Sequence, residues 1–226
     1  MTKIIRAEIY KILHSPAPWG ISIGYFILIT ILVPDHIEDV SFFRSSLYPI
    51  PFMIFMQIAL ALSMIGSEFD QRMLQGYVAS GNGRGCIFLG KILVYLLIST
   101  GMIVVTLLLH SLFGLFTRGE AIPFGTILFL LPSFVGICMV PAFLAFVFKD
   151  IGRTLGGGLV FYLIMLISLN NSAVNDKAIY LPYGHSLLAY KDILPSDLSG
   201  LLMIDAIWMI VLLTGSFLAF RRSDLK

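Results

Sequence analysis

The sequence predicts an all-α membrane protein. It is expected to hold six transmembrane helices, an N-terminal interfacial amphipathic helix and short outer-leaflet helices between spans five and six, all in one domain over residues 1–226. Three observations carry this. Hydrophobic residues make up 58% of the chain and charged residues 12%, and the mean hydropathy is +0.94. Soluble domains run near a quarter charged and could not bury this much apolar surface. The apolar residues gather into six runs near the roughly 20 residues that cross about 30 Å of hydrocarbon in a helix. Finally, Lys and Arg fall unevenly between the runs.

The leader MTKIIRAEIYKILH, within residues 1–16, places Ile5, Ile9 and Ile12 at helical spacing, with Ile4 and Leu13 beside them. Lys3, Arg6, Lys11 and His14 take the other side, the pattern of a helix lying in a membrane interface, and the chain then turns at Pro16 and Pro18. The spans are expected at 17–33, 47–66, 86–113, 121–148, 154–169 and 201–220. They are continuous apolar runs, which selects helices over a barrel of short alternating strands. Pro132 and Pro141 interrupt the fourth and allow a kink, which either shapes a pathway or fits neighbouring helices. The segment 170–200 is too polar to cross and too apolar for a free loop. It reads as one or two short helices at the outer leaflet, with Tyr180, Tyr183 and Tyr190 at the interface. With both termini on one side, that side holds Lys3, Arg6, Lys11, Arg72, Arg84, Lys91, Lys149, Arg153, Arg221, Arg222 and Lys226, 11 of the 15 basic residues. The positive-inside rule makes that side cytoplasmic.

Several motifs tempt and fail. Residues 85–91, GCIFLGK, fit the start of the phosphate-loop pattern, but Ile92 stands where Ser or Thr would hold magnesium, and a membrane helix follows. Lys91 is expected to snorkel to the headgroups instead. GISIG, 20–24, fits the serine-hydrolase pattern around Ser22 but lies inside the first span, where its small residues four apart, like Gly152 and Gly156, suit close helix packing. Cys86 and Cys138 have no paired spacing, and His14, His36, His110 and His185 no metal-ligand spacing, so neither disulfide nor metal is expected. Asp205 sits about one turn into the last span and reads as a solvated carboxylate; Gln57 lies midway through the second. A net charge of +2 gives no reason to expect a nucleic-acid partner.

What remains is the loop 67–85, in SEFDQRMLQGYVASGNGRGCIFLGK. Glu68, Asp70, Gln71 and Arg72 begin it, Phe69, Met73 and Leu74 are apolar, and Gly76 breaks it. So short an amphipathic helix is not stable alone in water and needs a surface, lipid or protein. The order of Glu68, Gly76, Arg84 and Lys91 resembles the permease subunits of type-2 ABC exporters, as do the leader, the six spans and the closing FRRSDLK. Tyr77 and Gly81–Gly83 depart from the usual Thr or Ser and Pro-Ser of that family.

The resemblance implies a permease with no catalytic residues and no directly bound cofactor, ATP and Mg being held by a separate ABC ATPase subunit. It implies docking by a coupling helix of Glu68, Phe69, Arg72, Met73 and Leu74, with Gly76, Arg84 and Lys91 anchoring the loop. It further implies dimerisation with itself or a sister permease in the bacterial plasma membrane, and export of an amphipathic or hydrophobic substrate such as an antimicrobial peptide, a drug or a lipid. A stand-alone channel or ion-coupled carrier is the alternative and predicts more buried charge; an intramembrane enzyme ranks last.

Overall fold

The computed structural model describes residues 2–33, 40–71, 73–170, 179–194 and 198–223. Among these the chain is helical, with no strand. α1 (Thr2–His14) and α2 (Pro16–Leu32) meet at a 67° bend, where Ser15 is extended and Pro16 opens α2. α1 turns Ile4, Glu8 and Ile12 inward, one residue every turn, and leaves Ile9 and Leu13 exposed. It lies against α7 (Arg84–Arg118) at Gly90, where an added Cβ would come within 2.8 Å of Ile4 Cγ2.

The run expected to form the second span from residue 47 is broken at its start. α3 (Phe42–Leu47) is a separate short helix capped by Ser41, whose hydroxyl accepts from the Arg44 amide. Pro49 and Pro51 then hold the chain in a turn, since neither offers an N–H to a helix. Helix resumes as α4 (Ile54–Ala61), widens to a π-helical segment over Leu62–Gly66, and ends as α5 (Ser67–Asp70). α6 (Met73–Ala79) leads into α7, which runs 35 residues to a left-handed Gly119 (φ 67°).

α8 (Phe124–Phe148) is the axis of the bundle. It touches α4, α7, α9 (Ile151–Asn170), α10 (Pro182–Tyr190) and α11 (Leu198–Arg221), and buries Phe134, Ile137, Ala142 and Phe146 among them. Pro132 and Pro141 both lie inside it. Among the described residues, α7, α8, α9 and α11 are long and apolar enough to cross a membrane, and the bent pair α1–α2 would make a fifth. The end where α7 begins carries most of the bases and is called the basic end below.

α10 does not rest on a surface as expected of the 170–200 segment. It is buried, with Pro182 seated on Gly136 of α8, where a Cβ would lie 3.1 Å from the proline ring. Tyr183 is 1% exposed and packs on Phe161 at 5.5 Å, so it is no interface residue, whereas Tyr180 is 64% exposed. Residues 171–178 and 195–197 of that segment lie outside the described residues.

Candidate functional site

At the basic end three elements converge on four charged side chains. Glu8 comes from the inward face of α1, Glu68 from the first turn of α5, and Lys91 from two turns into α7. The Lys91 ammonium donates to Glu8 Oε1 at 2.6 Å and also pairs with Glu68 Oε2. Lys11 donates to the other Glu68 oxygen, also at 2.6 Å. Lys91 and Glu68 side chains are each 1% exposed, and Lys11 37%. Two carboxylates and two ammonium groups balance, which is the condition under which buried charges are tolerated.

Tyr77 of α6 closes the cluster, its ring centroid 5.1 Å from the Lys91 nitrogen. Burial first, then the Glu8 and Glu68 carboxylates, push its hydroxyl above the usual tyrosine range, with Lys11 opposing them. Arg84, at the start of α7, donates to the carbonyls of Arg221 at 2.7 Å and Ser223 at 3.0 Å, closing the end of α11 against α7.

Within the single chain the residues expected at the docking face take different positions. Glu68 is buried in ion pairs and presents no carboxylate to a partner. Phe69 packs inward on Phe146 and Phe220, at 6.1 and 6.2 Å between ring centroids, and Leu74 is 1% exposed. Arg72 lies outside the described residues. What faces outward is Asp70, Gln71, Met73 and Gly76. Of the anchors, Arg84 joins two helix ends, while Lys91 reaches the acidic pair inside the bundle instead of snorkelling outward. Glu8 was missed, although its place midway between Ile4 and Ile12, four residues from each, marks it as inward-facing.

A second polar cluster lies toward the opposite end, where Asp205 was expected to be solvated. It is 1% exposed instead. Ser133 of α8 donates to Asp205 Oδ2 at 2.5 Å, and His185 Nδ1 lies 3.1 Å from Oδ1 and 3.0 Å from the serine oxygen. His185 Nε2 bonds the Ile179 carbonyl at 2.8 Å. This is no hydrolase triad, which needs serine and carboxylate on different imidazole nitrogens; here both meet Nδ1. A third knot joins His110 of α7 to Ser46 at 2.7 Å and Thr30 at 2.9 Å. Ser22 of the GISIG motif bonds back to the Pro18 carbonyl within α2, and residues 85–91 are helix, so neither tempting motif has the backbone its chemistry requires. Among the described residues no three His, Cys, Asp or Glu side chains group to hold a metal ion.

No family model matches the sequence, and no curated protein matches it either.

Proposed function

We propose that the chain is the membrane-spanning permease of an ATP-driven ABC exporter of the type-2 kind, coupled to a separate ATPase subunit. The reading places six spans in the plasma membrane with the basic end in the cytoplasm, the second span being α4, the π segment and α5 together. One observation carries it. The α5–α6 elbow turns Asp70, Gln71 and Met73 outward, while ion pairs of Glu68 and the ring of Tyr77 fix it to α1 and α7. A partner pushing on that outward face would move α7 and α1 with it, because the joint is made of buried, mutually neutralising charges rather than a loose tether.

Two six-span chains, alike or paired with a sister permease, would enclose the pathway, and its apolar helices suit an amphipathic or hydrophobic cargo. The test is to co-express the chain with a candidate ABC ATPase subunit, purify the two together, and measure association and permease-dependent ATP hydrolysis. Met73→Asp, which changes an exposed side chain, is expected to abolish both while the protein stays folded. Unchanged association, or transport at full rate by the chain alone, would overturn the proposal.

A second reading draws on the buried pair of His185 and Asp205, since intramembrane charge is also what an ion-coupled carrier needs. It predicts transport that follows an ion gradient without ATP.

A further inference from the structure

We propose that the groove beneath the α1–α2 elbow holds an acyl chain of an anionic phospholipid, whose phosphate is taken by Arg6 at the rim. Such a site needs the membrane setting proposed above but no ATPase subunit.

The wall of the groove decides the chemistry of its occupant. Ile5, Ile9 and Leu13 of α1, Trp19 of α2, and Leu93 and Leu97 of α7 line a space of about 500 Å³, the size of a small-molecule site. Ser22 brings a hydroxyl to the wall, but that hydroxyl donates to the Pro18 carbonyl at 2.8 Å within α2. Water would find no polar partners there, whereas hydrocarbon would supply the dispersion contacts that an open apolar slot otherwise forgoes.

The 67° bend makes the slot. α1 turns Ile4, Glu8 and Ile12 onto the bundle, so the stripe of Ile5, Ile9 and Leu13, spaced four residues apart, stands off beside α7. The exposed row continues down α2 as Trp19, Ile23, Ile27 and Ile31, again four apart. A tail lying in the groove therefore runs on along the apolar flank of α2, and Trp19 sits at the height where an indole marks the boundary between tails and headgroups.

The rim decides which lipid. Tails of different lipids are equally apolar, so selection falls to the headgroup. On α1, Glu8 is buried against Lys91 and Lys11 donates to Glu68, so neither is free for a guest. Arg6 is exposed, and among the described residues no carboxylate pairs with it. It precedes Ile9 and Leu13 by three and seven residues, which puts it at the edge of the same stripe. A guanidinium there can hold two phosphate oxygens at once while the tail fills the slot. A seated lipid also braces α1, the helix that delivers Glu8 to Lys91.

Trp19 stands in the wall and reports on what fills it. The other tryptophan, Trp208, lies on α11 and donates to the Tyr180 carbonyl, so Trp208→Phe leaves Trp19 as the sole indole. That protein is reconstituted in phosphatidylcholine vesicles carrying a minor fraction of dibrominated phosphatidylglycerol or dibrominated phosphatidylcholine, whose bromines quench indole fluorescence on contact. A preference for phosphatidylglycerol on the order of fivefold is expected at Trp19, the effect of one base at the membrane surface. Trp19→Phe, which reads Trp208 instead, should show no preference. Arg6→Gln should bring the two lipids to equality, and Arg6→Lys should keep most of the difference. Ile9→Phe with Leu97→Phe, at two exposed positions, fills the groove and should remove the preference with Arg6 still present. Equal quenching before any change to the groove, or a preference that survives either Arg6→Gln or the filling pair, would overturn the proposal. So would shielding of Trp19 from both brominated lipids, which would mean that a second copy of the chain covers the groove. The readout needs neither ATP nor transport, so its failure leaves the exporter reading standing.

Discussion

Replacing Lys91 by methionine keeps the length of the side chain and removes its charge. The nitrogen lost is 2.6 Å from one carboxylate and paired with a second, and all three side chains are at most 4% exposed. Two buried carboxylates would be left with Lys11 alone for company, and Lys11 reaches only one of them. Breaking a buried pair in this way costs roughly 3–5 kcal/mol. Lys11→Met removes a partner that is 37% exposed, for which roughly 0–1 kcal/mol is expected after solvent screening. The assay is reversible unfolding in mixed micelles with increasing SDS, giving the free-energy difference of each variant from wild type. Glu68→Gln placed on top of Lys91→Met should recover part of the loss, because it removes one of the stranded charges. Equal costs for the two lysine variants, or a Lys91→Met protein within about 1 kcal/mol of wild type, would refute the claim that this cluster is a buried, balanced unit.

Two further substitutions probe the contacts that seat helices on one another. Gly136→Val would drive its side chain into the Pro182 ring, and the resulting strain is expected to cost about 1–3 kcal/mol, seen as lower overall stability and faster hydrogen exchange in α10. Arg84→Ala removes two charged hydrogen bonds to the end of α11; limited proteolysis should then cut near Arg221 and Arg222 several times faster, in keeping with about 1–3 kcal/mol of lost local stability.

The long helices were legible because length and hydropathy alone identify them: α7, α8, α9 and α11 each overlap the run that predicted them. The run expected as the second span was not, because two features interrupt its helix. Pro49 and Pro51 delay the helix to Ile54, and the π segment leaves no signature in a pattern of apolar letters. The burial of α10 was hidden for a different reason. Its tyrosines and histidine look like interface residues, and only the placement of Gly136, Ser133 and Asp205 on two distant helices turns them into core. The same holds at the basic end. The residues Glu68 and Lys91 could be singled out from the chain, but their meeting with Glu8 depends on which face of α7 the leader covers, and Gly90 decides that.

The π segment sets the phase of everything beyond it. Such a segment amounts to one residue inserted into an α-helix, and each residue of an α-helix turns it by about 100°. A chain shorter by one residue between Leu62 and Gly66 would make a more regular helix aimed in a different direction: the acid at the head of the elbow would swing away from the bundle, and Lys91 would lose one of its two counter-ions. The irregular turn thus works as a gear tooth, timing the rotation so that an inward anion at Glu68 and an outward methionine at Met73 fall on opposite flanks of one short stretch.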